Sequence, residues 1–150
     1  MQALLVTHNL LRWLIVLFGF WAVFSAVSGV AGKREYTPGD GRSSLFFSIF
    51  MDIQFLVGLG LYYVGEWFEK MKHFSDYAKD NTTRFFMLEH ESMMIIALIL
   101  VHVGRVVVKK APTSSGKFRR SLTFFGIALL IILFATPWPF REIARPWFRW

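Results

Sequence analysis

Four apolar runs, each close to the length that crosses a bilayer, leave this 150-residue chain few alternatives to a helical membrane fold. They cover 3–31, 45–64, 85–108 and 121–137. The last is the shortest, and its reach is extended by Ser121, Thr136 and the aromatic Pro137-Trp138-Pro139-Phe140. Hydrocarbon offers no partner to backbone N–H and C=O groups, so each run must be a helix. Short polar connections make successive helices antiparallel neighbours. The expected architecture is an all-α, integral membrane, up-down four-helix bundle forming a single domain over 1–150.

The breaks between runs are turn-rich or charged. Residues 32–44 hold Lys33, Arg34, Pro38, Gly39 and Gly41, residues 65–84 mix bases with acids, and residues 109–120 are basic and contain Pro112 and Gly116. A charged fraction of only 18% and a mean hydropathy of +0.45 fit a membrane chain better than a soluble one. The first run lacks a preceding basic region and a cleavage site, so it reads as a retained helix rather than a signal peptide.

The net charge of +7 arises from bases that flank the apolar runs, which points to topology and lipid headgroups rather than nucleic acid. The first and third connections share one side and carry nine bases: Lys33, Arg34, Arg42, Arg105, Lys109, Lys110, Lys117, Arg119 and Arg120. The opposite side carries seven: Lys70, Lys72, Lys79, Arg84, Arg141, Arg145 and Arg149. This bias places both termini on the outer, periplasmic side of a bacterial inner membrane. The tail, 138–150, spaces Arg141, Arg145 and Arg149 four residues apart among aromatic side chains and reads as an interfacial segment, broken by Pro146.

Cysteine is absent, which excludes disulfides, iron–sulfur clusters, thiolate zinc sites and thioether-linked haem. Any metal or haem must then use His, Met, Tyr or carboxylate ligands. Three of the four histidines, His8, His90 and His102, fall inside the apolar runs, and His73 sits in a polar loop. An ionisable residue within hydrocarbon is a functional-site hypothesis by default. His8 and His90 each lie about one turn into helices that enter from the same side, at a common depth. Two axial ligands for a haem iron need that arrangement. Arg12 follows His8 by one turn on the same face, with Glu89 or a haem propionate as its expected partner. Glu91 points about 200° away from Glu89 on a regular helix.

A second polar level comprises Asp52, Gln54 and His102, with Arg105 nearby, an arrangement that suits an Asp-oriented imidazole, a quinone contact or a proton path. His90 and His102 are separated by roughly 18 Å of helix and cannot share one iron.

The segments His8-Asn9-Leu10-Leu11-Arg12-Trp13, Asp52 to Tyr62, Arg84-Phe85-Phe86-Met87-Leu88-Glu89-His90 and Pro137-Trp138-Pro139 resemble, in order and spacing, a family of small bacterial four-helix membrane proteins labelled "cytochrome B". The resemblance covers nearly the whole chain and implies a b-type haem on His8 and His90. Some relatives carry His where this chain has Asp52, a departure that removes a ligand for a second haem.

Three functions fit these features. The first is a b-type cytochrome-like electron carrier, rather than an enzyme, that exchanges electrons with quinone or a respiratory complex. The second is a haem-free accessory subunit of a larger membrane complex or homo-oligomer. The third is a small proton-conducting protein that uses Asp52 and His102.

Overall fold

The computed structural model describes residues 1–148, and every regular element among them is helical. Two long helices, α1 (Gln2–Gly32) and α2 (Pro38–Val64), are followed by three short ones: α3 (Trp67–Lys72), α4 (Phe74–Tyr77) and α5 (Asn81–Arg84). A π-helical turn, Phe85–Glu89, leads into α6 (His90–Lys109), and α7 (Ser114–Ala135) completes the order. Four stretches are long and apolar enough to cross a membrane: α1, α2, the continuous Asn81–Lys109 stretch and α7.

Capping explains why two helices start well before their apolar runs. At Pro38, Thr37 and Asp40 form a capping box, with proline at the first helical position. At Ser114, the Thr113 hydroxyl accepts the Gly116 N–H at 3.1 Å. Outside the long helices, Asp80 caps α5 by accepting the Thr83 N–H at 2.7 Å, and its hydrogen bonds with Thr83 hold that carboxyl below its ordinary range. α7 ends at Ala135 because Pro137 drives the residue before it out of the helical region, and Thr136 is extended at ψ 127°.

Each long helix packs against two others: α1 against α2 and α7, and α6 against α7 and α2. Ile15, Phe47, Met51, Val101, Phe125 and Ile132 form the central apolar cluster. Near the end of α1 the backbone comes so close to α7 that a Cβ at Gly29 would lie 2.4 Å from the Phe118 ring. The other face of that ring meets the Arg34 guanidinium, 4.6 Å from its centroid.

The same end carries a polar hub. Asp40, although buried, accepts hydrogen bonds from the Ser25 hydroxyl, from Arg34 at 2.7 and 2.8 Å, and from the Thr37 N–H and hydroxyl at 2.7 and 2.8 Å. A buried carboxylate is tolerable only when its lone pairs are filled, and here α1 and the loop that follows it supply the donors to an acid on α2.

Residues 136–148 turn back over the end of the helices: Ile143 is buried, and Trp147 and Phe148 stack on Trp13 of α1 at 5.8 and 5.5 Å. Arg141 and Arg145 lie over Phe85 and Phe86 of the π-helical turn, at 5.3 and 4.4 Å. Proline at three positions prevents the helix that i, i+4 arginine spacing suggests, and the arginines find aromatic faces instead. Arg149 and Trp150 lie outside the described residues.

Replacing Gly29 with Leu should destabilise the fold by about 1–3 kcal/mol or more, because the Phe118 ring is pinned on both sides. Gly126→Ala, where no atom lies within 4 Å of an added Cβ, should leave stability unchanged or slightly raised. Thermal unfolding midpoints in detergent distinguish the two.

Candidate functional site

α1 and α6 bring the His8 and His90 rings to a centroid separation of 6.2 Å, inclined at 56°. Two imidazoles bound on opposite sides of one metal ion, with nitrogen–metal distances of about 2.0–2.1 Å, leave their centroids roughly 6 Å apart. Both rings line a cavity of about 210 Å³ walled also by Arg12, Gln54, Gly58, Tyr62, Glu91 and Arg145. A smaller cavity of about 30 Å³ adjoins it and reaches Phe55 and Leu98 between α2 and α6.

The orientation of His90 follows from the end of α7. The last carbonyls of a helix have no intrahelical donor. His90 Nδ1 donates to the Ala135 carbonyl at 2.9 Å. A carbonyl can only accept, so Nδ1 carries the proton and a neutral His90 keeps a lone pair on Nε2. Metal-ligating histidines are oriented by this kind of outer contact. On the other side, the absence of a side chain at Gly58 leaves room beside His8: a Cβ there would lie 3.7 Å from His8 Nε2.

The π-helical turn directly precedes His90. Such turns recur at functional sites and leave backbone groups out of register. Here the Tyr62 hydroxyl donates to the Met87 carbonyl at 2.9 Å, and the Ser92 hydroxyl donates to the Leu88 carbonyl at 2.7 Å.

Arg12 is buried, but it does not meet Glu89. It donates to the Trp147 carbonyl at 2.7 Å and the Pro146 carbonyl at 3.4 Å, and Trp13 Nε1 donates to the same Trp147 carbonyl at 3.0 Å. Asn9 joins this group. Glu89 instead binds Arg84 at 2.8 Å, with its side chain 42% exposed. The carboxylate on the cavity wall is Glu91. Counting at 100° per residue across a π-helical turn misplaces the faces on either side of it, so sequence spacing could not choose between the two acids.

Gln54 also moves between sites. Its Nε2 donates to the His8 carbonyl at 3.0 Å and its Oε1 is buried without a partner among the described residues, so it belongs with the histidine pair. Asp52, two residues earlier and so about 200° around the helix, faces the other way. It bonds His102 Nε2 at 2.7 Å, but both side chains are 48% exposed on the outside of the α2–α6 pair rather than inside it.

Sequence reasoning passed over Tyr62, Trp67 and Phe86 as well, all of which line the cavity. Tyr62 reaches it from the end of α2, Trp67 from the start of α3 and Phe86 from the π-helical turn, positions that only the packing of these elements brings together. Among the described residues no group of three or more His, Cys, Asp or Glu gathers as a metal cage.

No family model, no curated protein and no solved structure matches this chain.

Replacing Arg12 with Gln removes the charged donor that holds the tail carbonyls. Charge-assisted hydrogen bonds of this kind contribute about 1.5–3 kcal/mol, so tail opening should rise about tenfold or more. Limited trypsin digestion, followed by mass spectrometry of cleavage at the Arg141–Glu142 bond, measures it.

Proposed function

We propose that the chain is a b-type cytochrome-like electron-transfer protein, inserted as an up-down four-helix bundle in a bacterial inner membrane with both termini on the outer side. The reading rests above all on one observation: His8 and His90 lie 6.2 Å apart on one cavity, with His90 already oriented by a backbone carbonyl. His8 and His90 would hold the haem through their Nε2 atoms.

The donor set fits. A haem needs only two protein ligands, and neutral imidazoles are common axial ligands. When bound, it supplies one-electron chemistry that no side chain here provides. The Ala135 carbonyl keeps His90 in the ligating tautomer and raises the basicity of Nε2. Arg12 and Arg145 put positive charge on the cavity wall, where carboxylate substituents would be compensated. The folded-back tail brings Pro137 and Arg145 to that side of the cavity.

The cavity is smaller than the roughly 300–1,000 Å³ of pockets that enclose a drug-sized ligand. A macrocycle therefore requires flexible lining side chains, such as Met1 and Met94, to move aside. Proton conduction through Asp52 and His102 is less well supported, because that pair lies on the outer surface and lines neither cavity described above. Quinone or a larger respiratory complex is the partner class that suits a carrier buried in the bilayer.

Purified protein, reconstituted with haem where needed, should show b-type Soret and α bands in a reduced-minus-oxidised spectrum. His8→Ala and His90→Ala should each abolish the six-coordinate signature, and Gly58→Leu should lower haem content by filling the space beside His8. A preparation that takes up no haem, or a spectrum indifferent to both histidine changes, would overturn the reading.

A further inference from the structure

The Asp52–His102 pair is a polar contact on an otherwise apolar outer face. On α2 the exposed residues Ile49, Asp52, Leu56, Leu59 and Tyr63 follow one another at intervals of three and four. On α6, Ile95, Ile99, His102 and Val106 do the same. An average of 3.5 residues keeps a stripe facing a partner helix, and it is the spacing of a helix–helix seam. Within the membrane-spanning part of the stripes, besides Tyr63 at the end of α2, the polar positions are Asp52 and His102, and the two touch each other.

In hydrocarbon this pair is costly unless its remaining hydrogen-bonding capacity is met. The pair is best tolerated there as a net-neutral unit. His102 Nδ1 and Asp52 Oδ2 are left over from that contact on two half-exposed side chains, a ring N–H able to donate beside a carboxyl oxygen able to accept. Neither atom has another hydrogen bond among the described residues. One patch thus presents a donor and an acceptor side by side. A two-fold axis pairs such a patch with itself, because in an isologous contact residue i meets j while j meets i.

We propose that the α2–α6 face is a self-association surface, on which Asp52 and His102 of one copy hydrogen-bond His102 and Asp52 of a second copy across a two-fold axis. A single polar position in an apolar heptad stripe sets register and oligomeric state, which is the role the pair takes here. The surface depends on the membrane-spanning reading but not on haem.

The chain has no cysteine, so single-cysteine variants report without background. Leu56→Cys lies on the proposed face, and Phe24→Cys is equally accessible on α1, away from it. In liposomes at high lipid-to-protein ratio, oxidation should convert Leu56→Cys into a species of twice the mass and leave Phe24→Cys monomeric. Adding Asp52→Ala to Leu56→Cys should lower the cross-linked fraction about tenfold, on the scale of interhelical hydrogen bonds doubled by symmetry. The exchange Asp52→His with His102→Asp should restore it, which separates lost pairing from lost folding. Monomers from both Leu56→Cys and Ile99→Cys, equal cross-linking of Leu56→Cys and Phe24→Cys, or a Leu56→Cys adduct to a different protein would each overturn the proposal. The haem spectrum reads out the other proposal separately.

Discussion

The final four carbonyls of α7 are the constraint around which the candidate site is organised. A helix end leaves acceptors without intrahelical donors, and those packed against other segments must find donors there. Here each one does. Ile132 receives the Thr136 N–H and hydroxyl at 3.0 and 2.7 Å, Leu133 receives Trp138 Nε1 at 2.8 Å, Phe134 receives Arg141 at 2.6 Å, and Ala135 receives His90 at 2.9 Å. Pro137 ends the helix, and the ended helix fixes the imidazole. The chemistry proposed for His90 thus follows from a proline 47 positions later in the chain.

The opposite end of the molecule solves a different problem by similar means. Asp40 closes the turn between α1 and α2 by accepting donors from Ser25, Arg34 and Thr37. Arg34 also covers Phe118, whose other face rests on Gly29. One charged cluster therefore sets the packing of α1 against both α2 and α7. With both ends tied, the middle of the helices can remain a simple apolar interface.

The four long apolar stretches were legible because their signal is compositional and does not depend on helix rotation. Helix starts at Pro38 and Ser114 were less so, since capping side chains extend helices beyond the apolar runs. The assignments that shifted, Glu89 against Glu91 and Gln54 against Asp52, all depended on which way a side chain points. A π-helical turn changes the angular phase before His90, and in a mostly apolar chain the inward face carries little contrast with the outward one. The tail's path over Trp13 and the π-helical turn was not legible, because arginine spacing does not say which aromatic faces lie within reach.

By itself, the sequence determined that this chain makes four long apolar helices and that three histidines fall within them, because apolar runs of that length, separated by turn-rich or charged breaks, leave little else. Only the tertiary structure decided that His8 and His90 share a cavity, that Arg12 donates to the Pro146 and Trp147 carbonyls of the tail, and that Asp52 and His102 face outward. Those outcomes depend on helix rotation and on which orphaned backbone groups lie within reach. Both are settled by packing between segments far apart in the chain, where sequence spacing carries no information.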